Sequence, residues 1–64
     1  MRSFVGTRVK VLREDTEKVG MVSSVRGDKI IINIGTTELI EAPLDDAEIY
    51  IAAPEDGVDY IIEW

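Results

Sequence analysis

Acidic side chains in two clusters are the residues of this chain whose types and spacing could carry out chemistry. Each cluster has three carboxylates close together, and the six are Asp45, Asp46, Glu48, Glu55, Asp56 and Asp59. Closely spaced carboxylates can bind a divalent cation or work as a general acid and base. Calcium, however, needs about six to eight oxygen ligands on a loop of fixed spacing with a glycine at its bend. Neither cluster has that arrangement, so we interpret both as a solvated acidic surface.

The residue types that most often support catalysis and metal binding are absent, because the sequence contains no His and no Cys. Histidine is the commonest general base and zinc ligand, and cysteine supplies thiolate ligands, nucleophiles and disulfides. We therefore predict a protein that is not an enzyme, with no catalytic residue, no metal ligand and no cofactor.

Charge is divided unevenly along the chain, which has a net charge of −6. All seven basic residues lie within the first 29 positions, whereas nine acids and no base follow from Ile30 onward. One interpretation is that a basic strand pairs with an acidic strand in the folded sheet. The other is a surface with two poles, each of which binds a different partner.

Nucleic-acid binding would require the basic side chains to converge on one face of the protein. The candidates for such a face are Arg8, Lys10, Arg13, Lys18, Arg26 and Lys29. The negative net charge disfavours this function, since phosphate contacts need clustered Lys and Arg.

The tripeptide Arg26-Gly27-Asp28 matches the integrin-recognition sequence, but we interpret it as a hairpin turn because Gly-Asp is a favoured two-residue turn pair. No apolar run approaches the roughly 20 residues that span a bilayer, and the N-terminal residues lack the apolar core of a signal peptide. We therefore expect residues 1–64 to form a single cytoplasmic domain without a membrane partner.

The elements that must position these side chains are predicted to be β-strands. Residues 8–11 alternate charged and apolar, which places Val9 and Val11 in the core. Residues 19–25 and 29–34 form a central hairpin, with a bulge near Ser23 and Ser24 and with the core face of the second strand carrying Ile30, Ile32 and Ile34. The charged segment 13–18 is expected to be an exposed loop, either a plain connector or a binding loop.

Further strands are predicted over residues 37–42, 48–51 and 58–64. Pro43 closes the first of these, since proline cannot donate to a ladder. One turn of 3₁₀-helix is expected over residues 44–47, with Leu44 tucked beneath the core. Residues 53–57 form a turn, because Pro54 fixes φ and Asp56-Gly57 supplies the reversal.

The opening segment Gly6 to Val11, the charged segment after it, and the hairpin made by 19–25 and 29–34 resemble the SH3-like barrels of the KOW type. Residues 43–49 are similar to the short helical turn that precedes the closing strand of such barrels. The resemblance covers residues 6–51. It implies an all-β fold, a small barrel of five to six short antiparallel strands, and RNA or protein as the class of partner.

Our first functional hypothesis is a non-enzymatic module that binds protein, either another copy of itself or a larger complex that it joins as an accessory subunit. The apolar patch for this partner is expected on the last strand and its neighbour, and its residues are Ile31, Tyr60, Ile62 and Trp64. Tyrosine and tryptophan are enriched in interface hot spots, although the same side chains could instead cover the core. The alternative hypothesis is a KOW-like nucleic-acid-binding module that uses the six basic residues named above.

Overall fold

A computed structural model describes residues 4–64 and shows an all-β protein. Its strands are β1 Arg8–Arg13, β2 Thr16–Arg26, β3 Lys29–Ile34, β4 Glu38–Pro43, β5 Glu48–Ile51 and β6 Tyr60–Glu63. One short 3₁₀ segment, Pro54–Asp56, lies between β5 and β6. The described residues contain no helix of the length and apolar character that crossing a membrane requires.

The six strands form one sheet in the order β4-β3-β2-β1-β6-β5. Four ladders are antiparallel, as predicted, but β1 and β6 are parallel, with Val9 opposite Tyr60 and Val11 opposite Ile62. The expectation of antiparallel strands throughout is therefore wrong for this pair. The reason is that the chain reverses between β5 and β6 and then inserts β6 between β1 and β5.

Strand β2 is long because its first half pairs with β1 and its second half pairs with β3. Its residues from Thr16 to Met21 pair with β1, and those from Met21 to Arg26 pair with β3. The register shifts between Val22 and Ser24, which confirms the predicted bulge. Gly20 lies just before this point, where the backbone carbonyl of Asn33 approaches so closely that a Cβ atom would lie only 2.4 Å from its oxygen.

The sheet must bend over itself, because its two outermost strands are joined by only residues 44–47. Five Cα steps from Pro43 to Glu48 span at most about 18 Å. Five interstrand spacings in a flat sheet would separate β4 from β5 by about 24 Å. No described ladder joins β4 to β5, so the bent sheet remains open between these two edges.

The short connection 44–47 differs from its predicted form. It is a hydrogen-bonded turn in which the amides of Asp46 and Ala47 donate to the carbonyl of Pro43, and the 3₁₀ segment lies instead at Pro54–Asp56. Leu44 is exposed and does not lie beneath the core. Ala47 of this turn is partly buried and packs against the core instead.

The core lies on the concave face of the bent sheet. Its fully buried side chains are Val9, Val11, Val22, Ile30, Ile32, Ala42 and Ile62. Val9, Val11, Ile30 and Ile32 confirm the predicted inward alternation, while Ile34 is half-buried and packs against this cluster. Burial of this apolar surface provides the main stabilising contribution to a chain of this size.

Both tight turns of β2 are two residues long. Gly27-Asp28 joins β2 to β3 with Arg26 opposite Lys29, which confirms the predicted hairpin. Residues 13–18, predicted as a loop, are mostly strand: Arg13 pairs with Thr16, and only Glu14 and Asp15 form the turn. Charged residues are tolerated in these strands because their side chains lie at the exposed end of the hairpin.

Replacement of Gly20 by alanine is expected to lower the free energy of unfolding by about 2 kcal/mol or more. The added Cβ would meet backbone oxygen at 2.4 Å and the Ile34 Cδ1 atom at 2.5 Å, and a backbone neighbour cannot rotate away. Urea denaturation measures the change. The matched control is Gly35→Asn, which has open space around its Cβ position and a left-handed φ of 64° that asparagine tolerates. Equal losses in the two variants would contradict the close-approach explanation.

Candidate functional site

Strand β5 is an edge of the sheet whose side chains are uncovered. It pairs with β6 on one side, and no described strand pairs with its other side. All four of its residues are exposed, and Ile51 reaches 86% of its maximum accessible surface. An edge strand presents unpaired backbone N–H and C=O groups, so β5 offers a second chain both hydrogen bonds and apolar contact.

The apolar face of the sheet continues into β5, where its side chains are exposed. Ile49 lies opposite Ile62, and Ile51 lies opposite Tyr60. Ile62 is 0% exposed, whereas Ile49 is 41% exposed. Ile49 and Ile51 are two positions apart and therefore lie on the same face of β5. Such a pair is typical of a strand with a packed neighbour, and the described structure supplies none on the outer side of β5.

The outer face of the same edge carries two carboxylates. Glu48 lies directly opposite Glu63 across the β5–β6 ladder, and the hydroxyl of Tyr50 donates a hydrogen bond to Glu48. This hydrogen bond raises the pKa of Tyr50 above its ordinary value, and partial burial and the charges of Glu48 and Glu63 act in the same direction. The ion pairs among residues 4–64 involve Lys10 and Lys18 only, so no cation of these residues is paired with Glu48 or Glu63.

The opposite edge, β4, is less suited to strand pairing. It ends at Pro43, which has no N–H to donate, and its side chain Glu41 is charged and exposed. Glu38 at its start is held by Lys18, whose Nζ lies 2.5 Å from the carboxylate. Proline and charge are the features by which native sheets protect an edge, and β5 has no proline and one charged residue.

The connection between β5 and β6 is tied down at several points. The amide of Ala53 donates to Asp56, and the amide of Arg8 donates to the carboxylate of Asp59. Lys10 lies 3.3 Å from Glu17 and 3.5 Å from Asp56. The hydrogen bond to Glu17 raises the pKa of Lys10 above its ordinary value, burial opposes it, and the charges of Glu17 and Asp56 add to the rise. Lys10 is therefore protonated at neutral pH.

The predicted protein-binding residues do not form one patch. Ile62 was assigned to the surface, but it is fully buried in the core because β6 lies inside the sheet, so that assignment is wrong. Tyr60 is half-buried, with its ring 5.4 Å from that of Phe4 in an edge-to-face arrangement. Trp64 is half-buried beside the core, with the Arg13 guanidinium 5.5 Å from its ring centre. Ile31 is half-buried on β3, with β2 and β1 between it and β6.

Ile49, Tyr50 and Ile51 are the exposed residues that sequence reasoning missed. Their strand was predicted, but its edge position depends on how β6 pairs with β1. The sequence signal available was three large apolar residues in succession, which favours a strand with apolar groups on both faces.

The six basic candidates do not share a face. Arg13 and Arg26 lie at opposite ends of the β1–β2–β3 unit, and Lys29 is beside Arg26 at the far turn. Lys10 and Lys18 are held by carboxylates on different sides of the sheet. Arg2, the seventh base, lies outside the described residues. This dispersal does not provide the continuous positive track that phosphate binding uses.

The carboxylates of the two acidic clusters do not form a metal site within the described residues. Among residues 4–64 no group of three or more carboxylates is arranged to bind an ion. Asp56 and Asp59 instead accept the backbone hydrogen bonds described above. One groove of about 350 Å³ is lined in part by Arg13, Lys18, Glu38 and Trp64, and its two cations are already engaged by Trp64 and Glu38.

Comparisons with protein-family models, with curated proteins and with solved structures found no match to this chain. The resemblance to KOW-type barrels therefore stays a prediction.

Exchange of Ile62 for alanine is expected to destabilise the isolated protein by about 2–5 kcal/mol, because a fully buried isoleucine leaves a cavity. The same change at Ile51, which is 86% exposed, should alter stability by less than about 0.5 kcal/mol. Chemical denaturation of both variants measures the difference. A larger loss of stability for the Ile51 variant than for the Ile62 variant would contradict the strand order β1-β6-β5.

Removal of the Glu48 carboxylate is expected to lower the pKa of Tyr50 toward 10.0, since Glu48 supplies the hydrogen bond that raises it. A pH titration of the Tyr50 ring resonance by NMR compares wild type with Glu48→Gln, and Glu55→Gln is the matched control. The raised pKa means that this bond contributes to stability below pH 10.0 and is lost as pH rises through the higher folded value. An unchanged Tyr50 titration in Glu48→Gln would contradict the contact.

Proposed function

We propose that this protein is a non-enzymatic protein-binding module, or a small accessory subunit of a larger complex, that receives an extended strand of its partner at the β5 edge. The observation that carries the proposal is Ile51, an isoleucine that is 86% exposed on a strand whose outer side no described strand pairs with. The sequence predicts partner binding by the last strand, β6. Because β6 lies between β1 and β5, the proposed binding strand is its neighbour β5.

Strand addition supplies two kinds of interaction at this edge. Backbone N–H and C=O groups of the incoming strand pair with those of β5, and its side chains cover Ile49 and Ile51. Burial of apolar surface contributes about 25 cal/mol per Å², so covering these two side chains is favourable. Because β5 has only four residues, the interface is small, and we expect weak or transient binding unless other contacts join it.

We also propose that the bent sheet is a small SH3-like barrel of the KOW type that a partner strand extends. Three features support this proposal: the two-part pairing of β2, the bulge after Val22, and the four-residue connection that crosses from β4 to β5. The parallel β1–β6 pair departs from an all-antiparallel barrel and places the open edge at β5.

The test is an NMR titration of the ¹⁵N-labelled full chain with a capped peptide that alternates Gln and Val. We expect the largest amide shifts at residues 48–51, together with slower amide exchange there. A peptide of the same sequence with alternate backbone nitrogens methylated keeps every side chain but cannot complete the ladder. It should bind at least about tenfold more weakly, because the main-chain hydrogen bonds supply much of the affinity.

The matched variants are Ile51→Lys on β5 and Leu39→Lys on β4, both at exposed apolar positions on opposite edges. A charge on an edge strand opposes pairing, so only the first variant should abolish the shifts. Shifts centred on β4, or equal binding of the methylated peptide, would exclude strand addition at β5.

A further inference from the structure

The β5 edge carries an electrostatic repulsion that no ion pair among residues 4–64 relieves. Glu48 and Glu63 are direct cross-strand partners, and like charges in that position are destabilising. Tyr50 donates a hydrogen bond to Glu48 but brings no positive charge. A cation placed beside Glu48 would remove the conflict, and the open side of β5 is where such a cation could come from.

Within the part of the chain that the structure describes, no Lys or Arg forms an ion pair with Glu48 or Glu63. From Ile30 onward the sequence contains no Lys or Arg. On the outer face of the sheet, Lys10 is the basic residue nearest to the β5 edge. It lies opposite Ile61 on β6, and Ile61 lies opposite Tyr50 on β5. Its ammonium group is already engaged by Glu17 and Asp56. No cation among residues 4–64 forms an ion pair with Glu48, so a partner strand is a source of positive charge that this edge can accept.

We propose that the partner strand carries Lys or Arg opposite Glu48 and apolar residues opposite Ile49 and Ile51. This inference rests on the proposed function, since it specifies the chemistry of the strand received at β5. Residues directly opposite in neighbouring strands share a face, so the acidic and apolar faces of β5 select a partner that alternates basic and apolar. An Arg opposite Tyr50 would also stack on its ring.

A second copy of this chain does not fit the same edge. Pairing β5 with β5 of another copy would bring together two Glu48 side chains, each with Asp45 and Asp46 just before it and Glu63 opposite it. Juxtaposed like charges suppress association. The occupant that matches the edge is therefore an extended basic and apolar segment of a different protein.

The experiment compares three capped six-residue peptides against the full-length protein at low and moderate salt. Their central sequences are Lys-Val-Arg-Val, Gln-Val-Gln-Val and Glu-Val-Glu-Val, so that only charge differs. We expect the basic peptide to bind at least about tenfold tighter than the acidic one at low salt. The difference should shrink as salt is added, because exposed charges are screened over about 10 Å at 0.1 M.

The variant Glu48→Gln should reduce the preference for the basic peptide to less than about threefold, since it removes the carboxylate that selects the cation. Glu41→Gln, on the opposite edge strand β4, is the matched control and should leave the preference unchanged. Equal affinity for all three peptides at β5 would overturn the charge inference and leave strand addition standing. If none of the peptides shifts residues 48–51, the proposed function itself fails. A dimer in sedimentation analysis that Ile51→Lys dissociates would assign the edge to a second copy instead.

Discussion

The parallel pairing of β6 with β1 is the constraint on which the rest of the structure depends. It places Ile62 beside Val11 in the core and leaves β5 as the outermost strand. If β6 lay at the edge, its own residues would be exposed and Ile49 and Ile51 would have neighbours on both sides. The exposure of Ile49 and Ile51 is thus a consequence of strand order, and it follows from no single residue.

The local parts of this fold could be predicted from the sequence, because they depend on neighbouring residues. Alternation placed Val9 and Val11 in the core, Gly27-Asp28 indicated the hairpin, and the spacing of Val22 and Val25 indicated the bulge. The charged segment 13–18 was misjudged as a loop. Its charge indicates exposure, and a hairpin end exposes strand residues as fully as a loop does.

The candidate site could not be predicted in the same way, because it depends on pairing between strands far apart in sequence. Ile62 and Ile51 are both isoleucines in short apolar strands, yet one is completely buried and the other is almost completely exposed. What separates them is a ladder between residues about fifty positions apart. Residue propensity and the spacing of apolar residues predict the strands, but only the tertiary arrangement decides which strand lies at the edge of the sheet.

The anchored connection between β5 and β6 has a further consequence for recognition. Lys10 links the middle of this connection to β2 through Asp56 and Glu17. At its ends, Asp59 accepts a hydrogen bond from the amide of Arg8, and the amide of Ala52 donates to the carbonyl of Asp59. The acceptor edge is therefore preorganised. An incoming chain would lose its own conformational entropy on binding, but the edge that it meets is already ordered, which lowers the entropic cost of association.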